Sequence, residues 1–192
     1  NNLFSKSITV LGLCLLCLCS MESLAHGPQY KHLATTAFIA EDVNCDWSAN
    51  DVASGKYDHL FGAITDSIPN LDFTTATYWV KFEVSNETDS PQEYYVETGR
   101  ALTNRLNLYV LNLNQANLLF EAGDEIPFAS RPIIYRKFVF PIVVPPSEKK
   151  SYLFEATSDG EVLTMPIKLL LEVHILSKAL ITIQKILLLP LH

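Results

Sequence analysis

Three aromatic residues stand beside hydrogen-bonding side chains in alternating segments. Trp79 shares a strand face with Lys81 and Glu83, Tyr95 with Glu93 and Glu97, and Tyr109 with Asn107 and Arg105. A ring next to polar groups suits a sugar or another small polar ligand: the ring stacks on apolar C–H faces while its neighbours bond the hydroxyls. The same pattern also fits a face covered by a second sheet, which would place Trp79 in the core. Arg131 and Arg136 flank a loop that carries Asp124 and Glu125. An arginine there either clamps a ligand carboxylate through two parallel bonds or clamps a loop carboxylate and is structural. The candidate ligand-binding set is therefore Trp79, Lys81, Tyr95, Tyr109, Arg131 and Arg136.

Catalysis finds less support. The chain holds no G-x-S-x-G, no H-E-x-x-H and no Gly-rich phosphate loop. Glu41-Asp42 and Asp124-Glu125 are adjacent carboxylates, and neighbours on a strand point to opposite faces, unlike the facing pair of a glycosidase. None of the five histidines pairs with another at metal spacing. The expectation is a binding domain, not an enzyme, with no cofactor and no metal site. A net charge of −7, with no basic cluster beyond Lys149-Lys150, excludes a nucleic-acid partner.

The elements that must position these residues are strands. Tyr78, Val80, Phe82 and Val84 alternate with Trp79, Lys81 and Glu83, a half-buried strand of period two. Asn86 to Pro91 carries turn chemistry. Further strands are expected at Glu93 to Thr98, Leu106 to Val110, Leu118 to Ala122, Arg136 to Val144, Ser151 to Thr157 and Val162 to Leu171. In Arg136 to Val144, Phe138, Phe140, Ile142 and Val144 share one face. Pro141 on the other face demands an edge or a bulge. Residues 28 to 72 suggest one or two short strands and little regularity. About eight short strands with turns between them and no long helical pattern read as an all-β chain, an antiparallel jelly-roll β-sandwich.

The two ends differ from this body. Lys6, the apolar run Ile8 to Cys19 and the small residues Ser23 and Ala25 read as a secretory signal over residues 1–25. The apolar run is shorter than the ~20 residues of a membrane span. Cys14, Cys17 and Cys19 fall inside it, leaving Cys45, which is expected as a small buried residue beside Trp47. Leu176, Leu180, Ile183 and Leu187 are spaced for one face of an amphipathic helix in a tail over residues 173–192. That tail would lie on a membrane, lead into one, or pack on the sandwich. The sensor domain is expected at residues 26–172.

Several short pieces occur in a fixed order: Tyr78-Trp79-Val80-Lys81-Phe82-x-x-x-Asn86, then Leu106-x-Leu108-Tyr109, then Gly123-Asp124-x-x-Pro127-Phe128-x-x-Arg131-Pro132 before a Phe-rich strand. Together they resemble the type 2 extracellular domain of bacterial seven-transmembrane receptors with diverse intracellular signalling modules, over roughly residues 45–172. In the loop motif, Gly123, Asp124, Pro127, Phe128, Arg131 and Pro132 are expected to be structural. The resemblance implies a jelly roll like that of carbohydrate-binding modules, exported to the periplasm and sensing a ligand there. It implies seven membrane helices and a histidine kinase or diguanylate cyclase downstream in intact relatives. The first residue is Asn and the chain stops at His192, which suggests a fragment of such a receptor. A bound carbohydrate or other small polar ligand would act through the sandwich or through the contacts of a homodimer. The alternative is a cell-surface glycan-binding module without a signalling role.

Overall fold

The structure, a computed structural model, describes residues 30–32, 36–66, 68–98 and 104–171. The expected signal segment and the C-terminal tail lie outside the described residues. Among the described residues twelve strands and one short α-helix follow in chain order: β1 (Tyr30–His32), β2 (Phe38–Asp42), α1 (Ala49–Ala53), β3 (Gly62–Ala63), β4 (Asn70–Phe73), β5 (Thr77–Ser85), β6 (Gln92–Thr98), β7 (Arg105–Asn112), β8 (Gln115–Ala122), β9 (Val139–Val144), β10 (Lys149–Thr157), β11 (Val162–Thr164) and β12 (Ile167–Leu171).

All pairings are antiparallel, and two sheets result, ordered β1-β12-β6-β9 and β3-β2-β5-β10-β7-β8, with β11-β4 as a separate pair. Set aside β2, β3, β4 and β11. The remaining eight strands, counted along the chain, then read first-eighth-third-sixth in one sheet and second-seventh-fourth-fifth in the other. That is the strand order of a jelly roll. Strands β2 and β3 widen the second sheet to six.

Alternation decides what lies between the sheets. Tyr78, Val80, Phe82 and Val84 of β5 face Val96 of β6 and Phe140, Ile142 and Val144 of β9, with Tyr152, Phe154 and Ala156 of β10 beside them, all buried. Phe82 stacks on Tyr152 at 5.5 Å and on Phe154 at 5.4 Å, and Phe140 meets Phe154 at 5.5 Å across the core. Each such ring contributes roughly 1.5–3 kcal/mol by burial.

Buried phenols make this core sensitive to base. Burial alone pushes the Tyr152 phenol up to about 12. Burial, reinforced by the hydrogen bond to Glu41, does the same for Tyr78. The unfolded chain releases these protons near pH 10, whereas the folded one holds them, so the stability they contribute is full below pH 10 and is lost as pH rises towards 12. Each group costs up to ~1.4 kcal/mol per pH unit in that window. The urea midpoint is expected to fall between pH 9 and pH 11 (roughly the onset of the window), and Tyr152→Phe to flatten the fall. An unchanged slope in that variant would remove Tyr152 from the account.

Two turns hold the sandwich edges in place. Asn86 is buried after β5. Its amide nitrogen donates to the carbonyls of Ser90, Val144 and Pro145, at 2.8, 3.0 and 2.9 Å. Its Oδ1 accepts from the backbone N–H and the hydroxyl of Thr88. Gly123 follows β8, where a Cβ would collide with the Asn104 carbonyl oxygen. Only glycine permits that approach.

Three expectations need correction. The strand expected from Arg136 begins at Val139, because residues 131–138 form bends around Arg131. Its edge position is as expected: β9 is the outermost strand of its sheet, with Pro141 opposite Tyr95. The strand expected over Val162 to Leu171 is two, β11 and β12, broken at Met165-Pro166, since proline has no N–H for a ladder. Residues 28 to 72 are richer than expected, with four strands and α1. No helix among the described residues is long and apolar enough to cross a membrane.

Candidate functional site

The outer face of the six-stranded sheet collects polar and aromatic side chains in two neighbouring rows. Register places Ala40, Trp79, Glu155 and Asn107 side by side on β2, β5, β10 and β7. The next row is Phe38, Lys81, Leu153 and Tyr109. Cross-strand neighbours have Cβ atoms ~4.5–5.5 Å apart, so each row is a contact row.

Part of this face is covered. Ser48 caps α1 by accepting from the Asp51 N–H at 3.1 Å. The helix lasts little more than one turn and continues into a turn at Asp58–Leu60. Together they form a cap. Val52, Trp79 and Leu153 make a second, smaller core beneath it, joined by Trp47, Tyr57, Phe61, Tyr109 and Leu111. Trp47 and Tyr57 stack in parallel with ring centres 4.0 Å apart. Asn50 ties the cap to β8 by accepting from the Ala116 N–H.

Trp79 is therefore not an exposed platform. It is 1% exposed, and what covers it is the cap rather than a second sheet. Lys81 is committed to the same cap. Its ammonium donates to the Val52 carbonyl at 3.0 Å, pairs with the Asp58 carboxylate, and lies 4.6 Å from the Phe61 ring centre.

Beside the cap lies a polar cluster. Glu155 Oε2 accepts from the Tyr109 hydroxyl at 2.6 Å and from the Asn107 amide at 3.0 Å. Burial, then the bond to Glu155 and its negative charge, push the Tyr109 phenol well above its ordinary value, so it stays a donor. A register shift in the β7–β8 pairing at Leu108/Tyr109 leaves Leu119 as an extra residue beside Tyr109. Such bulges re-aim side chains. Two buried atoms here have no hydrogen-bond partner, Trp79 Nε1 and Asn107 Oδ1, and both belong to residues flanking Glu155. Each such atom costs ~1–3 kcal/mol while unpaired.

The remaining candidates lie elsewhere. Tyr95 is half-buried on β6 in the four-stranded sheet, between Leu170 and Pro141. Arg136 is exposed outside the sheets. Arg131 lies against two rings of its own loop region and not against a loop carboxylate. Its guanidinium lies 4.7 Å from the Phe128 ring centre and 4.5 Å from that of Phe138, and Nη1 donates to the Tyr135 carbonyl at 3.1 Å. Pro127 and Phe128 open the adjoining turn Phe128–Ser130, while Asp124 is exposed and Pro132 half-buried. Cys45, expected to be buried, is exposed, with φ of 55°. Asp42 explains the bend: its carboxylate accepts from the N–H groups of Asp46 and Trp47. Among the described residues no group of three His, Cys, Asp or Glu could hold a metal.

Glu155, Trp47 and Tyr57 escaped the sequence reading. For Glu155 the signal was present: within Ser151 to Thr157, Tyr152, Phe154 and Ala156 point inward, so Leu153 and Glu155 must point outward. Trp47 and Tyr57 carried no periodicity to find them by.

Strand order and core define a jelly-roll β-sandwich. The family whose sequence pattern matches is 7TMR-DISM extracellular 2, over residues 34–170. The chain belongs to that family, the extracellular sensor domain of seven-transmembrane receptors. No curated protein matches the chain. Among solved structures, it is similar to a family GH115 4-O-methyl-α-glucuronidase with specificity for decorated arabinogalactans, at 12% identity and a TM-score of 0.35, covering 77% of this chain and 18% of that one. A GH31 α-xylosidase from Xanthomonas citri follows at 11% identity and a TM-score of 0.30, covering 71% and 15%. The C-terminal CBM6 of a marine laminarinase from Zobellia galactanivorans matches at 10% identity and a TM-score of 0.26, covering 70% and 98%. The chain thus spans less than a fifth of either glycosidase.

Proposed function

We propose that this domain is the periplasmic ligand-sensing domain of a bacterial transmembrane signalling receptor. It takes a carbohydrate or other small polar ligand on the outer face of the six-stranded sheet. Membership of the extracellular sensor family supports the sensing role. The observation that carries the location is the Trp79–Glu155–Asn107 row, where a half-buried carboxylate sits between two buried polar atoms without partners. A ligand hydroxyl that reached this row would complete bonds the protein leaves open, which is where polar recognition is strongest. Of the residues expected from sequence, Tyr109 binds directly in this reading, joined by Asn107 and Glu155. Trp79 contributes its Nε1 from the floor. Lys81 holds the cap, and Arg131 braces its loop. Tyr95 and Arg136 stand outside the site.

The test is a thermal-shift titration with neutral sugars and sugar acids. Glu155→Gln and Tyr109→Phe are expected to weaken any ligand-induced stabilisation at least about tenfold, the loss of one charge-assisted hydrogen bond, with unchanged circular dichroism. If both variants keep the wild-type response, the ligand binds elsewhere.

A further inference from the structure

On the far side of the cap the same outer face is open. Thr36, Phe38, Lys81, Glu83, Leu111 and Ser151 line a cleft of about 310 Å³, at the lower end of the ~300–1,000 Å³ typical of small-molecule sites. The cleft is distinct from the Glu155 cluster. Ser151 and Glu155 are four residues apart on β10, roughly 13 Å at ~3.3 Å per residue, and the cap packs on Leu153 between them.

Two observations bear on an occupant. Phe38 is 51% exposed although it sits on a strand paired on both sides, opposite Lys81 and Ala63. A half-bare ring at the lip of a cleft is a stacking platform. The polar lining is also charge-balanced. The Lys81 ammonium is paired with Asp58. Glu83 is paired with Lys149 at 2.7 Å and accepts from the Ser151 hydroxyl at 3.3 Å. A ligand carboxylate would meet Glu83, and a ligand ammonium would meet Lys81. A neutral ring bearing hydroxyls meets neither repulsion. Its C–H face can lie on Phe38 and Leu111 while its hydroxyls donate to the Glu83 carboxylate and to the Ser151 oxygen, whose own proton is held by Glu83.

We propose that this cleft is a second binding site, selective for a neutral hydroxylated ring, that is, one sugar unit, free or at the end of a glycan. It stands independently of the Glu155 site. The experiment is saturation-transfer NMR on the full chain with glucose, galactose and mannose, with glucuronate and glucosamine as charged counterparts, and with maltotriose as a glycan end. At least one neutral sugar is expected to show ring-proton saturation. The part of that signal lost in Phe38→Ala should be lost equally in Ser151→Ala, while persisting in Phe73→Ala, an exposed ring outside both sites. Tighter binding of maltotriose than of glucose would identify a glycan end as the source, and equal binding a free sugar. Absence of any Phe38-dependent signal at tens of millimolar sugar would overturn the proposal. So would tighter binding of glucuronate or glucosamine than of their neutral counterparts.

Discussion

Trp79→Ala is expected to lower the unfolding temperature by roughly 10 °C or more, the response of a domain this size to a loss of ~3–5 kcal/mol. The indole is fully enclosed, with Val52 above it from the cap and Leu153 beside it on β10. Removing it opens a cavity in a core too small to close over the gap. It also takes the floor from beneath Trp47, Tyr57 and Phe61, which pack on the same cluster. The cap should loosen before the sandwich does, so differential scanning calorimetry should show a broadened transition. Trp79→Phe, which keeps a ring, should fall between. A drop below about 2 °C in the alanine variant (under ~1 kcal/mol) would mean that Trp79 is not held as described. Ligand binding is better tested at Tyr109 and Glu155, because a Trp79 variant loses the cap as well as the indole N–H.

The second large effect is expected at Asn86, where Asn86→Ala should cost ~2–4 kcal/mol in urea unfolding. One buried side chain serves five partners there: three carbonyls from two segments, and both the N–H and the hydroxyl of Thr88. It joins the turn after β5 to the end of β9, and so links the two sheets at one edge. Alanine leaves those groups to find water. Asn86→Asp keeps the volume but turns a carboxylate towards three carbonyl oxygens, and should cost at least as much. A cost below ~0.5 kcal/mol for alanine would be that of an ordinary surface change, and the turn would then be held by something else.

The sandwich was legible because its information is local. The alternation in Thr77–Ser85 and Lys149–Thr157 assigns each residue to a face without knowledge of the partner strand. Phe138, Phe140, Ile142 and Val144 were placed inward on that basis and are all buried. The same rule put Trp79 on the opposite face correctly but could not say what covers that face. The cover is α1, five residues long, too short to show a helical period. Its one signal is Ser48 three residues before Asp51, a capping pattern lacking the usual long acidic partner. The surroundings of Arg131 were illegible for a related reason. Its ring partners Phe128 and Phe138 were visible, but which of a carboxylate or two rings takes a guanidinium depends on how the loop folds back. Cys45 followed neither pattern, because its exposure comes from the Asp42 carboxylate bending the chain at residues 46 and 47.

Strand β1 lies beside β12, with Tyr30 opposite Leu170. The polypeptide therefore arrives and departs at one corner of the smaller sheet, while the polar face with Glu155 belongs to the larger one. Tension applied across that corner would open the β1–β12 ladder like a zip, loading one rung at a time, instead of shearing all rungs together. Movement of the far face can reach that corner only by tilting the whole unit, since the interlocked phenylalanines between the sheets leave little room for one layer to slide on the other.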